Sequence, residues 1–329
     1  MINIAILGAG YIAGIMARTL AGMIARGDQS ICMHSVAARD ENRAQRFAQE
    51  HGFQKAYGSY EEMLRDPDVH LVYIATPHSF HYEQLLRCLA HGKHVLCEKA
   101  FTVNARQAEK VTAVAREKGL FMAEAIWTRY QPARTMIDEI ISSGVIGKPQ
   151  IVTANLAYLI AQKPRIRQPE LAGGALLDLG VYALNFASMV LGDNVASVNS
   201  IAQMMDTGVD MQESVTITYE TGEMAILCAA VTCAGDRRGV IYGTAGTLET
   251  DNINNPGTIT VIPYKKPEEA RIYTVPSQIT GYEYEVTCAV DAIQRGLVEC
   301  EAMPHSETIR ILRMMDELRA QWGLVYPCE

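Results

Sequence analysis

Aromatic side chains are scarce in this chain of 329 residues: Phe, Trp and Tyr together make up 7%, and only two of them are tryptophan, Trp127 and Trp322. Position 156, in a predicted strand of the second half, is Leu156. Such a supply argues against a pocket built to stack flat aromatic ligands. Basic blocks are missing too. Lys and Arg number 29 against 37 Asp and Glu, a net charge of -8, which argues against a polyanion-binding surface and makes nucleic acid an unexpected partner. No apolar run approaches the roughly 18 residues of a membrane span, and Met1 leads directly into an apolar strand with no room for a signal peptide. The expectation is a soluble, cytoplasmic protein without a membrane partner. The eight cysteines contain no Cys-x-x-Cys pair and fall mostly in apolar periodic segments, so they read as reduced thiols. His78 and His81 stand without a nearby carboxylate cluster, and no metal is expected.

What is present begins at once. Ile4-Ala5-Ile6-Leu7 is a short apolar run that ends in Gly8-Ala9-Gly10 and continues with helical periodicity from Tyr11. In the dinucleotide-binding fingerprint the first glycine makes the tight turn and the second lets the backbone approach a diphosphate. A small third residue then packs helix on strand. Gly8, Gly10 and Ala13 fill these positions. The diphosphate is expected on the N–H groups at Tyr11 and Ile12, at the positive end of the helix dipole. No lysine follows in P-loop spacing, which disfavours a nucleoside triphosphate. After the second predicted strand the chain reads Ala37-Ala38-Arg39-Asp40. An acidic residue at the end of that strand would accept the ribose hydroxyls of NAD, whereas a 2′-phosphate wants arginine. Alanine followed by Arg39 favours NADP(H), with NAD possible. The plainer reading is that Arg39 is a solvated charge and Asp40 a helix cap.

Strands at 31–38, 55–57, 69–75, 94–97 and 120–124 alternate with helices at 11–26, 41–51, 82–91 and 104–118. A further helix opens at Ser59-Tyr60-Glu61-Glu62, which has the form of a capping box. This is the pattern of a doubly wound parallel sheet. The loop Thr76-Pro77-His78-Ser79-Phe80-His81 follows a strand, and Thr76, Pro77 and His81 are expected along the cofactor, as is Glu98 at the end of the next strand. Beyond residue 123 the composition turns to alternating and β-branched segments, including 150–158, 196–203, 214–219, 223–232, 240–242, 258–262 and 271–275. Helices are expected at 132–143, 180–191, 282–295 and 305–322. The fold class is α/β: an N-terminal Rossmann domain over 1–123 and an α+β domain over 124–329 with an open, largely antiparallel sheet carrying helices on one face.

Three separated clusters carry possible chemistry. They are Glu98-Lys99, Glu124-Ala125-Ile126-Trp127-Thr128-Arg129, and Gly173-Gly174-Ala175-Leu176-Leu177-Asp178-Leu179-Gly180-Val181-Tyr182. On a helix beginning near Leu177, Asp178 and Tyr182 lie four residues apart on one face. Hydride transfer at a carbon bearing oxygen needs a proton donor or acceptor for that oxygen. A tyrosine, with a free pKa of about 10, becomes a serviceable base beside a lysine ammonium, and Lys99 with Tyr182 would supply the pair. Plainer roles exist for each: Lys99 as an ion-pair partner of Glu98, Asp178 as a helix cap, Tyr182 as a core aromatic, Trp127 as a packing anchor.

The glycine turn, Glu98-Lys99 and the Gly173-to-Tyr182 motif together resemble the glucose-fructose oxidoreductase / inositol dehydrogenase / rhizopine-catabolism (Gfo/Idh/MocA) family across essentially the whole chain. The runs Val36-Ala37-Ala38-Arg39-Asp40, Ala56-Tyr57-Gly58-Ser59-Tyr60-Glu61-Glu62 and Glu124 to Arg129 are similar to its dimeric dihydrodiol dehydrogenase and NADP-dependent xylose dehydrogenase branch. The resemblance implies that Lys99 lies near the nicotinamide, that Asp178 orients substrate and that Tyr182 with Lys99 handles the proton. Trp127 and Arg129 would lie toward the substrate, and the open sheet face commonly forms a homodimer. One departure stands out. The family has Glu-Lys-Pro, and this chain has Ala100, where a cis bond costs about 2.5 to 4 kcal/mol. The expected function is an NADP-dependent oxidoreductase acting on a secondary alcohol or hemiacetal carbon of a sugar or polyol. The alternatives are a trans-dihydrodiol dehydrogenase and a non-catalytic NADP(H) sensor.

Overall fold

The computed structural model describes all residues from Met1 to Glu329. Uninterrupted apolar strands belong in a sheet covered on both faces, and the first six strands behave accordingly except β3, a partly exposed edge. They are β1 (Ile2–Leu7), β2 (Ile31–Ala37), β3 (Lys55–Tyr57), β4 (Leu71–Ile74), β5 (His94–Glu98) and β6 (Met122–Ala125). All pair in parallel, in the order β3-β2-β1-β4-β5-β6. The order reverses between β1 and β4, which places the ligand crevice of such a sheet outside the carboxyl ends of those two strands. Helices α1 (Tyr11–Ala25), α2 (Glu41–His51), α3 (Tyr60–Arg65), α4 (His81–Ala90) and α5 (Ala105–Lys118) make the crossovers.

Local chemistry sets the helix limits. The Asp40 carboxylate accepts the Arg43 N–H at 2.6 Å and starts α2, and Asn104 accepts the Gln107 N–H at 2.9 Å and starts α5. The capping box expected at Ser59 is not made: its backbone is extended as a cap requires, but the hydroxyl forms no cap bond. The four-residue pattern marks where the helix begins without fixing the serine rotamer.

The second sheet has eight strands in the order β14-β13-β12-β11-β7-β10-β9-β8. They are β7 (Pro149–Ala157), β8 (Val195–Met204), β9 (Asp210–Tyr219), β10 (Met224–Ala230), β11 (Gly239–Gly243), β12 (Gly246–Thr250), β13 (Thr258–Pro263) and β14 (Arg271–Thr274). Only β7 and β10 pair in parallel; the rest is antiparallel. The predicted alternation is clear in β10, where Ala225, Leu227 and Ala229 are buried while Ile226 and Cys228 are exposed. Strand β12 was not expected; Leu248 is its one large apolar residue.

The other helices of this half are α6 (Pro132–Ser142), α7 (Pro164–Arg167) and α8 (Val181–Leu191). The expectation that no apolar stretch reaches spanning length needs correction. Pro169–Leu191 does by length and composition, but 83% of its apolar window is buried, and every residue from Val181 to Ser188 is core. All eight cysteines are free thiols.

The chain closes with α9 (Glu283–Gln294) and α10 (His305–Trp322). Compactness divides the molecule into residues 1–130 with 278–309, and residues 131–277 with 310–329. This differs from a single cut after residue 123. Val286, Ala289, Val290 and Ala292 of α9 join the core that holds Ile6, Met16, Leu20 and Tyr73, and His305 Nε2 meets the Met122 carbonyl at 2.7 Å. A returning segment of this kind leaves no mark in local periodicity. Replacing the α5 cap, Asn104→Ala, should cost about 1 kcal/mol in chemical denaturation. An unchanged midpoint would show that the bond contributes nothing.

Candidate active site

The site residues of the first unit lie where its strands end. Gly8 has φ 109°, and a Cβ there would stand 2.9 Å from the Ala75 carbonyl oxygen, so no side chain fits. Around Gly10 nothing would lie within 4 Å of a Cβ, and Gly10 opens α1, whose first N–H groups have no intrahelical acceptors. Tyr11 is largely exposed and Ala13 fully buried. This open cradle at a helix N-terminus fits a dinucleotide diphosphate, held by the backbone from Gly8 to Ala13.

At the end of β2, Asp40 uses its carboxylate on α2. Arg39 is exposed, with its guanidinium carbon 5.8 Å from the Phe80 ring centroid. Arg43, which sequence reasoning missed, reaches back to the glycine turn and donates to the Ala9 carbonyl at 2.8 and 3.1 Å. Its place in the first turn of the helix that follows Arg39 was the signal available. Burial raises the Tyr60 phenol above its ordinary pKa, and the charges of Arg39 and Arg43 oppose it. Two cations therefore converge where an adenosine 2′-substituent is expected.

The turn after β5 is braced from several sides. The Lys99–Ala100 peptide is cis. Glu98 accepts the Lys99 N–H at 3.2 Å and also the Tyr73 hydroxyl. His81, expected along the cofactor, is instead fully buried, with its ring nitrogens 2.8 Å from the carbonyl oxygens of Ala100 and Thr76. Burial pulls its pKa below the ordinary histidine value, against those carbonyls, which favour an added proton. Its place is thus to tie the β4 loop to the lysine turn. The Thr76 hydroxyl donates to Gln84 at 2.5 Å, and Pro77 follows in extended conformation. Glu124, on β6, accepts the Phe101 N–H at 3.2 Å, one residue beyond the cis bond.

Trp127 stacks on Tyr282, with centroids 4.3 Å apart, and Arg129 is ion-paired with Glu307. Both side chains have these partners within the first unit. His34, Asp66 and Asp68 cluster closely enough to suggest a cation site. Asp66 Oδ2 already receives Lys55 Nζ at 2.9 Å, the Tyr57 hydroxyl at 2.7 Å and His34 Nε2 at 2.8 Å, so the resident cation is the lysine. His78 and His81 meet only edge to face, with centroids 5.9 Å apart.

In the second unit, Gly173 to Tyr182 forms a π-helical turn over Leu176–Gly180 that runs straight into α8. Such turns cluster at functional sites. Asp178 and Tyr182 are both buried, at 3% and 6% exposure. Asp178 Oδ1 accepts Arg165 Nη1 at 2.7 Å, so it is an ion-pair partner and not a helix cap. Arg165 comes from α7, where no sequence pattern pointed to it.

A Rossmann sheet with this turn, joined to a mixed open sheet, defines a dinucleotide-binding oxidoreductase. The description "Oxidoreductase family, NAD-binding Rossmann fold" matches residues 2–125, and the GFO/IDH/MocA C-terminal domain matches residues 135–249. The chain belongs to the Gfo/Idh/MocA family of NAD(P)-binding oxidoreductases. It is 34% identical to the trans-1,2-dihydrobenzene-1,2-diol dehydrogenase of Xenopus tropicalis, covering 89% of this chain and 90% of that one. The mouse protein of the same name is 32% identical, over 98% and 97%. Among solved structures it is similar to KijD10, a 3-ketoreductase from Actinomadura kijaniata in complex with NADP and TDP-benzene. That likeness has 26% identity and a TM-score of 0.86, over 97% of both chains.

Burial holds the Glu124 proton, with a pKa up to about 7 from 4.5, against the Thr308 hydroxyl, the Phe101 N–H and Arg129. The folded state keeps this proton where the unfolded chain has released it. The group therefore lowers stability progressively as pH rises from about 4.5 to about 7, and the loss is constant above. Glu124→Gln should gain stability relative to the parent chain across that window, read from denaturation midpoints at several pH values. A pH-independent difference would contradict the raised pKa.

Proposed function

We propose that the chain is an NADP(H)-dependent dehydrogenase or reductase that moves a hydride between the nicotinamide and a secondary alcohol or hemiacetal carbon of a sugar or polyol. The observation that carries the cofactor choice is the end of β2. Asp40 is engaged by the backbone of α2, while Arg39 and Arg43 supply the charge that a 2′-phosphate needs. NADP in the KijD10 complex agrees with this reading.

When bound, the nicotinamide gives or takes the hydride. The chain must manage the proton. An alcohol carbon that loses hydride also loses its hydroxyl proton, and Lys99 and Tyr182 are the groups assigned to hold and move it. Asp178, aimed by Arg165, orients neighbouring hydroxyls. A neighbouring hydroxyl is common to sugars and trans-dihydrodiols, and the names of the relatives favour the diol as a second reading. The scarcity of rings, with two tryptophans in all and one of them stacked on Tyr282, is the reason the sugar or polyol comes first.

We also propose that the protein is a homodimer. Ile151, Ile226 and Tyr242 are exposed on adjacent strands of one sheet face, with Ile151 directly opposite Tyr242. A continuous apolar face of this kind supports burial against a second copy.

Lys99→Met and Tyr182→Phe should each lower turnover by orders of magnitude while leaving NADPH affinity nearly intact. Unchanged turnover in both would sink the assignment. Arg39→Ala and Arg43→Ala should weaken NADP(H) selectively in binding titrations. Equal weakening of NAD(H) would show that these arginines only support the glycine turn.

A further inference from the structure

We propose that Asp210, the first residue of β9, is a positioning residue for the reaction: it fixes the turn from Gly173 to Gly180 that carries Asp178 and leads into Tyr182. The inference rests on the roles proposed above for those two side chains. Asp210 is fully buried, and its Oδ2 accepts the Leu176 N–H at 2.6 Å. Its other oxygen presses on Gly174, where a Cβ would lie 2.1 Å from Oδ1. Gly174 also has φ 108°, so glycine is required there both for its backbone and for the acid beside it.

The start of a helix leaves N–H groups without acceptors, and a nearby side chain normally caps them. Here the residue before the π-turn is Ala175, which makes no side-chain cap. The acceptor arrives from a distant strand instead. A π-turn is rare in helices, and the acceptor for the first N–H of this one comes from β9. Asp178 follows two residues after Leu176 and Tyr182 four residues later, so a slip of the first turn redirects both.

The surroundings hold the same segment. The Tyr326 hydroxyl donates to the Gly173 carbonyl at 2.7 Å, and the Gly174 N–H donates to the Ile166 carbonyl at 2.9 Å. A Cβ on Gly180 would lie 2.5 Å from Glu213 Oε1, so a second buried acid of β9 sets the far end of the turn. Burial, then the Asp210 charge, raises the Glu213 carboxyl well above its ordinary pKa. Burial pushes the Asp210 carboxyl up to about 6, against the N–H groups of Leu176 and Ala175 and the Arg319 charge. Those N–H groups favour the carboxylate, the stronger acceptor.

The test compares Asp210→Ala, Asp210→Asn and Asp210→Glu in the full chain by steady-state kinetics and NADPH fluorescence titration. Asp210→Ala should lower kcat by up to about a hundredfold, the scale of a 1 Å misplacement, with NADPH affinity unchanged. Asp210→Asn, which keeps an acceptor oxygen for Leu176, should recover most of that loss. In a Tyr182→Phe background Asp210→Ala should add less than its full loss, because only the misplacement of Asp178 is left to act.

Parental kcat in Asp210→Ala overturns the proposal. So does a loss of NADPH affinity in proportion, or a full additional loss on top of Tyr182→Phe. If the alanine variant does not fold, Asp210→Glu decides. The longer acid pushes the turn at Gly174 and must lower kcat with NADPH binding intact; parental kcat there overturns the idea. A Tyr182→Phe enzyme with parental turnover would mark the separate failure of the tyrosine assignment.

Discussion

Backbone approach at two glycines is the constraint on which both sets of site residues depend. At Gly8 the chain comes so close to the carbonyl of Ala75 that a methyl group could not be inserted, and α1 can then start with its N–H groups facing the open crevice. At Gly174 the intruder is the Asp210 carboxylate, and the backbone it touches leads directly into the π-turn of Asp178. In both places the absence of a side chain lets a distant element set the first turn of a helix. The chemistry then follows from what that helix or its neighbouring loop presents.

Buried carboxyl groups are the second theme, and they fall into two kinds. Burial raises Glu213 and Glu285 well above the ordinary carboxylate pKa, and each has a second acid, Asp210 or Glu98, that repels its charge. Asp66, by contrast, is held below the ordinary carboxylate pKa, because the bonds from Lys55, His34 and Tyr57 outweigh its burial. A neutral acid costs less to bury than a charged one, which needs donors on its lone pairs. Asp210 and Glu124 lie between these limits, each beside a turn that carries a proposed reactive residue.

The first sheet was legible because its signals are local. An apolar run ending in Gly8-Ala9-Gly10, Asp40 ahead of α2 and Gly52 after it are each written within a few residues. The second sheet was legible in its alternation, but β12 has one large apolar residue to mark it, and the parallel pairing of β7 with β10 has no local signature. The return of α9 to the first core could not be read from a linear pattern. Site residues divide the same way. Gly8, Gly10, Lys99, Asp178 and Tyr182 lie in motifs, whereas Arg165 and Asp210 act through contacts made far along the chain. His81 looked like a cofactor ligand because it follows a strand, and only the tertiary structure sets its two nitrogens against carbonyls.

With Arg39 and Arg43 beside the end of β2, and with the Asp178–Tyr182 turn, the proposed reaction is NADP-linked chemistry on a hydroxylated carbon of a sugar or polyol. The most direct test follows absorbance as NADP+ and NAD+ are reduced in the presence of aldoses, inositols, anhydro sugars and trans-dihydrodiols. Reduction of NADP+ with at least one sugar or polyol, and slower reduction of NAD+ with the same compound, is the predicted result. Turnover confined to the trans-dihydrodiols, or none with any compound in either direction, would contradict it.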